Sequence, residues 1–232
     1  MKKLLVATMA FLPVIVFAAS GAKIGVSVSI DPSDHASLQR GARTFINNCL
    51  NCHSANYMRY NRLVDIGLTK EDIEDNLLFA ADKIGDTMQV AMDPKEAKKW
   101  FGVTPPDLTL VVRARGANWL YAYMRGFYKD GATPSGWNNI VFDKVAMPHV
   151  LYELQGEQIL NHDTHKLELV KPGKLSPPEY NAFVRDLTNY MAYMAEPGKE
   201  QRQRIGLWVL LFLGVLLVLM KKLKTAYWKD IK

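Results

Sequence analysis

Cys49-Leu50-Asn51-Cys52-His53 is the stretch of this 232-residue chain that decides its fold, because it brings both cysteines of the sequence next to a histidine. Cysteines at positions i and i+3 lie on one face of a helical turn, so both sulfurs can reach the two vinyl groups of one haem. The histidine that follows then points its imidazole at the iron. The motif therefore indicates one covalently bound haem c (iron).

Two other kinds of site use the same cysteine spacing. A thioredoxin-like redox pair requires a strand followed by a helix, whereas the segment before Cys49 has a helical pattern. A zinc site requires more thiol or imidazole ligands, and the sequence holds no second C-x-x-C. Both alternatives are weaker than haem attachment.

The helical pattern upstream of the motif follows the candidate N-caps Ser33 and Asp34. Its recurring apolar residues are Leu38, Ala42, Phe45 and Ile46. Further along, residues 55–100 have the pattern of helices with polar turns, and residues 178–195 that of a final amphipathic helix. We therefore expect a mainly α c-type cytochrome domain with irregular loops, plus one C-terminal transmembrane helix.

The sixth iron ligand decides between an electron carrier and a haem that binds small molecules, because methionine closes the site and raises the reduction potential. Met147 is the leading candidate, since it precedes Pro148 in an irregular stretch where the backbone can aim a sulfur inward. His149 is the second candidate, and His162 and His165 suit a solvated polar loop. The remaining methionines suit core packing or lie too close to His53, with Met88 and Met92 expected to share a helical face. They are Met58, Met88, Met92, Met124, Met191 and Met194.

Residues 1–18 have the features of a signal peptide that is cleaved on export. Lys2 and Lys3 precede an uncharged run from Leu4 to Ala19, and small residues follow it. This order matches the n-region, h-region and cleavage region of a secretory signal. The alternative is a retained N-terminal anchor.

The other end of the chain has the features of a membrane anchor. Residues 205–220 are 16 uncharged residues, about 24 Å of helix, and the flanking lysines and aromatic residues extend this length to the interface. The lysines after Met220 predict a cytoplasmic C-terminus. We therefore expect an exported domain at 19–198, an anchor at 199–228 and a tail at 229–232, in a bacterial inner membrane with the haem domain in the periplasm.

The net charge of +6 is distributed unevenly along the chain. The expected exported domain, residues 19–198, has 19 basic and 21 acidic residues, a net charge of −2, and the excess of positive charge lies in the two terminal segments. The basic balance therefore reflects membrane insertion and gives no support for binding nucleic acid. A mildly acidic domain permits electrostatic steering of a basic partner.

A set of short motifs in fixed order resembles the cytochrome c1 family, the haem subunits of the quinol:cytochrome c oxidoreductase (the cytochrome bc1 complex), in its compact bacterial type. The resemblance covers nearly the whole expected mature chain. The matching residues are Arg40-Gly41, Cys49 to Ser54, Tyr60, Leu63-Val64, Pro105-Pro106-Asp107-Leu108, Arg113-Ala114-Arg115, Ala146-Met147-Pro148 and Ala195-Glu196-Pro197.

The resemblance implies a role for several of these residues. Cys49 and Cys52 would form the thioether links, and His53 and Met147 would be the axial ligands. Arg115 resembles the family arginine that pairs with a haem propionate, and Pro106 resembles the proline that lines the haem face. The sequence departs from the mitochondrial type in lacking Pro-Gly before Met147 and in carrying His149 after Pro148.

The function that the resemblance implies is transfer of single electrons from a Rieske 2Fe–2S protein to a cytochrome c. Its implied partners are cytochrome b, the Rieske iron–sulfur protein, a cytochrome c acceptor and membrane lipid. No active site of the chain's own is expected, since no Gly-rich phosphate loop and no nucleophile–base set are found. The alternatives are a membrane-anchored cytochrome c of a terminal oxidase, or a haem enzyme or sensor with an open sixth position.

Overall fold

The computed structural model describes residues 25–230, so the expected signal peptide at 1–18 lies outside the described residues. Two crossing helices form the centre of the soluble part, α1 at His35–Asn48 and α7 at Pro177–Ala195. They approach most closely at Gly41, where a Cβ atom would lie 2.1 Å from the carbonyl oxygen of Asp186. A side chain at this position would hold the two helices apart. Phe45 of α1 and Tyr190 of α7 pack beside this crossing with ring centroids 5.8 Å apart.

Both helices begin where their capping residues predict. The Asp34 carboxylate accepts a hydrogen bond from the backbone N–H of Ser37, so the candidate cap Asp34 is confirmed. At α7, Ser176 and Glu179 form a reciprocal capping box, and the helix extends over almost the same residues as its sequence pattern.

A buried polar network joins α1 to α7. Asp186 accepts hydrogen bonds from the Ser37 hydroxyl at 2.8 Å and from Nε of Arg40 at 2.6 Å. Asn189 donates to the Ser37 hydroxyl and to the carbonyl of Asp31, which fixes the chain just before α1. These bonds set the orientation of the helix that ends at the cysteine motif.

The segment after the motif is less helical than its pattern predicts. It contains strand β1 at Ala55–Arg59, a 3₁₀ helix at Tyr60–Ile66, α2 at Lys70–Asn76, strand β2 at Thr87–Met88 and α3 at Pro94–Phe101. The expectation of helices and turns alone across 55–100 was wrong. β1 and β2 pair antiparallel with a register irregularity, so apolar alternation does not mark them.

The aromatic-rich part of the chain forms short helices and two hairpins. The helices are α4 at Val111–Arg115, α5 at Ala117–Arg125 and α6 at Tyr152–Gln155. The strands are β3 at Phe127–Lys129 paired with β4 at Trp137–Asn139, and β5 at Gly156–Asn161 paired with β6 at Lys166–Pro172, all antiparallel. The second hairpin is mostly solvent-exposed.

The chain ends in α8, Lys199–Tyr227, which follows α7 after three residues. Its 29 residues span about 43 Å, more than the roughly 30 Å of a hydrocarbon core. It is long and apolar enough to cross a membrane, and none of its apolar window is buried against the rest of the protein. The fold class is therefore confirmed as mainly α with irregular loops and one C-terminal transmembrane helix.

Candidate functional site

The cysteine motif forms a tight turn at the C-terminal end of α1. Cys49 caps the helix with its N–H on the carbonyl of Phe45, and the N–H groups of Cys52 and His53 both bond to the carbonyl of Cys49. Within the described residues neither cysteine forms a disulfide; Cys49 is buried and Cys52 is half-buried. Burial, with a smaller contribution from Cys52, raises the pKa of the Cys49 thiol to about 12. Protonated thiols are poor nucleophiles for disulfide exchange, so this microenvironment does not suit a thioredoxin-like pair.

His53 is oriented by the proline-rich segment, 53 residues further along the chain. Its Nδ1 lies 2.8 Å from the carbonyl oxygen of Pro106. In the tautomer that donates to this carbonyl, Nδ1 carries the proton and Nε2 has a free lone pair. Burial lowers the pKa of His53, opposed in part by Pro106 and Asp107, so the imidazole is held in its neutral form. A neutral imidazole with one nitrogen bonded to a carbonyl is the usual state of a histidine ligand to a metal.

The segment that holds His53 is itself fixed against the strand after the motif. Asp107 accepts bonds from the N–H of Asn56 at 2.7 Å and of Thr109 at 2.9 Å. The N–H of Leu108 bonds to the carbonyl of Ser54 at 2.9 Å. The Pro106 carbonyl therefore has a defined position relative to the imidazole.

Met147 differs from most of the other methionines in its exposure, since its side chain is only half-buried. Its sulfur lies 3.4 Å from the hydroxyl oxygen of Tyr123, which donates a hydrogen bond to it. Five methionines are at most 4% exposed, in line with core packing: Met58, Met88, Met124, Met191 and Met194. Met92 is half-buried, but it lies in an irregular segment and shares no helical face with Met88, so that expectation was wrong.

The loop that carries Met147 is tied to the rest of the domain by two asparagines. Asn138 donates to the carboxylates of Asp130 and Asp143, both at 2.9 Å, and accepts from the N–H of Lys144. The Asn139 side chain donates to the carbonyl of Tyr123 at 2.8 Å. These polar contacts give the loop a defined position relative to Tyr123.

His149, the second candidate for the sixth ligand, lies in an aromatic cage. Its ring stacks on Phe127 with a centroid distance of 4.7 Å, and the edge of Trp137 meets it at 5.0 Å. It is 2% exposed, and neither ring nitrogen makes a hydrogen bond of normal geometry within the described residues. Burial lowers its pKa to about 4, opposed only in part by Gln155. This environment suits a neutral packing residue better than a ligand facing an open crevice.

Arg115, the last residue of α4, and Trp119 of α5 continue the surroundings of Met147. The Arg115 guanidinium lies 5.4 Å from the Trp119 ring centroid, and Trp119 stacks on Tyr123 at 4.9 Å. Arg115 is exposed and takes part in none of the ion pairs found in residues 25–230. Its guanidinium is therefore available to an anionic group such as a carboxylate.

The predicted site residues thus form two clusters. One is the motif turn with His53 and Pro106; the other contains Met147, Tyr123, Trp119 and Arg115. His162 and His165 belong to neither, since they lie in the exposed turn between β5 and β6. A cavity of about 300 Å³ opens beside Cys52 and is also lined by Met92, Thr104 and Pro105.

The donor set fits a c-type haem. Two cysteines stand three residues apart on one turn, the adjacent imidazole has a free Nε2 lone pair in the tautomer that donates to Pro106, and Met147 is half-buried on a loop with several hydrogen bonds. In residues 25–230 no three His, Cys, Asp or Glu side chains are grouped as a metal site would require. The donors in the motif therefore suit a haem better than a bare zinc ion.

Sequence reasoning missed two contacts in this arrangement. The contact of His53 with the Pro106 carbonyl cannot be recognised from residue types, because any residue has a backbone carbonyl. Tyr123 lies in an aromatic-rich helix, but its hydroxyl contact with Met147 joins residues 24 positions apart. Only the tertiary structure brings these groups together.

Comparison with known proteins gives a consistent result. The model of the Cytochrome C1 family matches residues 27–231. The chain is 54% identical over 202 residues to the ammonia monooxygenase gamma subunit of Nitrosomonas europaea, covering 87% of this chain and 86% of that protein. It is 47% identical over 243 residues to cytochrome c1 of Allochromatium vinosum, covering both chains completely. Cytochrome c1 of Rhodospirillum rubrum is 28% identical over 226 residues, which cover 86% of this chain and 83% of that one.

Proposed function

The chain belongs to the cytochrome c1 family, and from that membership we propose that it accepts single electrons from a Rieske 2Fe–2S protein and passes them to a cytochrome c. As a member of this family it is a membrane-anchored electron-transfer protein with one covalently attached haem c, the haem subunit of a cytochrome bc1 complex. We assign cytochrome b and the Rieske protein as its neighbours in that complex.

The proposed roles of the residues follow from the two clusters. Cys49 and Cys52 would provide the thioether sulfurs, and His53 through Nε2 and Met147 through its sulfur would bind the iron. Arg115 would neutralise a propionate, and Pro106 would line the haem face while its carbonyl orients the imidazole. The haem supplies a one-electron Fe(II)/Fe(III) couple when bound. The task of the chain is to hold, orient and shield this group, and no substrate bond is made or broken.

The observation that carries the proposed haem ligation is the 2.8 Å contact between His53 Nδ1 and the Pro106 carbonyl. It presents an oriented, neutral imidazole on the residue that directly follows the second cysteine. A hydrogen bond from Nδ1, the nitrogen that does not bind the iron, fixes the ring and raises its basicity as an iron ligand.

Replacing Met147 by leucine tests the axial assignment, with the core substitution Met191→Leu as the control. We expect Met147→Leu to lose the near-infrared band of methionine-bound ferric haem, to lower the reduction potential and to bind carbon monoxide when reduced. Met191→Leu should change none of these. A Met147→Leu protein with the native potential would contradict the assignment, and a native reduced protein that readily binds carbon monoxide would favour the haem enzyme or sensor.

Co-purification of the full-length protein in mild detergent tests the proposed partners. Recovery with cytochrome b and a Rieske protein is the expected result. Recovery with terminal oxidase subunits and without those two proteins would favour the oxidase alternative. Recovery with monooxygenase subunits would instead favour the role that is named for the Nitrosomonas protein.

The proposed orientation places residues 19–198 in the periplasm and the C-terminus in the cytoplasm of a bacterial inner membrane. Lys221, Lys222 and Lys224 at the C-terminal end of α8 support it. A C-terminal fluorescent reporter that matures only in the cytoplasm should therefore be active, and a dark fusion would contradict the orientation.

The net charge of −2 on residues 19–198 supports electrostatic steering of a basic cytochrome c, so electron transfer should slow as ionic strength rises. A rate that does not change with salt would contradict the steering.

A further inference from the structure

We propose that Tyr123 is a positioning residue for Met147, holding its thioether sulfur by a hydrogen bond that raises the reduction potential of the haem domain. The inference deepens the proposed function and rests on one part of it, the binding of iron by Met147. Nothing in the family comparison assigns a role to this tyrosine.

The contact uses a lone pair that iron binding leaves free. A thioether sulfur has two lone pairs and is a weak acceptor of hydrogen bonds. The Tyr123 hydroxyl lies 3.4 Å from the Met147 sulfur, within the range of an O–H···S bond. One lone pair can therefore bind the iron while the other accepts the bond from Tyr123.

The direction of the effect follows from the charge on the iron. A hydrogen bond draws electron density from the sulfur and makes it a weaker donor. A weaker donor stabilises Fe(III) less than a stronger one does, and hydrogen bonds around a ligand are one of the means by which a protein tunes such a centre. The bond from Tyr123 therefore favours the reduced state and raises the potential.

The position of the hydroxyl is built into the fold. Trp119 stacks on one face of the Tyr123 ring with a centroid distance of 4.9 Å and an interplanar angle of 12°, and Phe127 meets the ring at 5.2 Å. The Tyr123 carbonyl is bound by Asn139, which belongs to the strand leading into the Met147 loop. The donor and the acceptor are thus both fixed to the same frame.

The core holds a second tyrosine–methionine contact, which differs from that of Tyr123 and Met147 in how deeply the methionine is buried. The Tyr190 hydroxyl lies 3.7 Å from the Met88 sulfur, but Met88 is 0% exposed, so that sulfur is enclosed on all sides. Met147 is half-buried and keeps part of its side chain open. Of these two methionines, only Met147 combines the contact with a side chain that is partly open.

The test is a redox titration of the full-length, haem-loaded protein with Tyr123→Phe, and with Tyr121→Phe as the matched control on the same helix. Phenylalanine keeps the ring and its packing and removes only the hydroxyl. We expect Tyr123→Phe to lower the equilibrium constant for one-electron reduction about three- to tenfold, a downward shift of about 30 to 59 mV. The near-infrared methionine–iron band should remain, with a changed position, and Tyr121→Phe should match the wild type.

Three outcomes would separate the possibilities. A potential equal to that of the wild type, or one that shifts upward, overturns the role of Tyr123. If Met147→Leu removes the near-infrared band while Tyr123→Phe leaves the potential unchanged, only this inference fails. If Met147→Leu retains the band and the potential, the axial assignment fails and this inference fails with it.

Discussion

The close approach of α1 and α7 makes Gly41→Ala the sharpest test of how the cysteine motif is held. The new Cβ atom would lie 2.1 Å from the Asp186 carbonyl oxygen and 2.6 Å from the Tyr190 Cβ atom. Ordinary contact begins at 3.4 Å, so the helices must separate by about 1.3 Å. The same separation loosens the packing of Phe45 on Tyr190, one turn before Cys49.

The expected change in stability follows from two opposing effects. Overpacking against backbone that cannot move aside costs about 3 kcal/mol. Replacing glycine by alanine inside a helix contributes about 1 kcal/mol in the other direction. The net loss is about 2 kcal/mol, which lowers the melting temperature of a chain this size by about 4 to 8 °C.

Thermal unfolding of the detergent-solubilised, haem-loaded protein, followed by far-ultraviolet circular dichroism, measures this loss. Gly131→Ala is the matched control, because a Cβ atom at Gly131 meets nothing within 4 Å and its φ is not positive. It should shift the melting temperature by less than about 2 °C. A Gly41→Ala protein as stable as the wild type, or more stable, would refute the view that this crossing is close-packed.

Three further changes have defined outcomes. Asp186→Ala removes the buried carboxylate that pairs with Arg40. Because the Arg40 side chain is 56% exposed, we expect the free energy of unfolding in urea to fall by about 2 kcal/mol, less than for a fully buried pair. A fall below about 0.5 kcal/mol would contradict the network. Hydrogen bonds from Ser176 lower the pKa of Glu179 below its ordinary 4.5, so its contribution to stability is present above pH 4.5 and is lost as the pH falls through the folded-state pKa. Glu179→Gln should therefore make the melting temperature less dependent on pH below 4.5. The same pH dependence as in the wild type would contradict this contribution of Glu179. His149→Phe should retain the near-infrared methionine–iron band and the potential, whereas loss of the band would show that His149 takes part in ligation.

Local signals predicted the parts of the fold that depend on neighbouring residues. Asp34 caps α1 by bonding to a residue three positions away, and the apolar spacing that follows it reflects one buried face. The motif turn is likewise local, and α8 follows from an uninterrupted apolar run. Each of these features is fixed by interactions within a few residues, so the amino-acid pattern alone is enough.

The features that the sequence did not predict depend on contacts across the chain. Residues 55–59 become a strand because they pair with residues 87–88, and their burial does not alternate regularly. The β5–β6 hairpin depends on contacts outside itself, since Gln158 of β5 donates to the carbonyl of Phe127. Its base is fixed by the close approach of Gly156 and Gly173, where a Cβ atom on Gly173 would lie 2.4 Å from the Gly156 nitrogen. Tyr123 reaches Met147 only after α5 and the loop have folded together.

The three-residue connection between α7 and α8 limits how far the haem domain can move. Ala195 is still buried in the domain, and the membrane helix begins at Lys199. Residues 196–198 can span only about 10 Å when fully extended, much less than the diameter of the domain they attach. The protein therefore has no tether long enough for the domain to travel between a donor and an acceptor. Any long-range movement in the electron transfer we propose must therefore come from the partners.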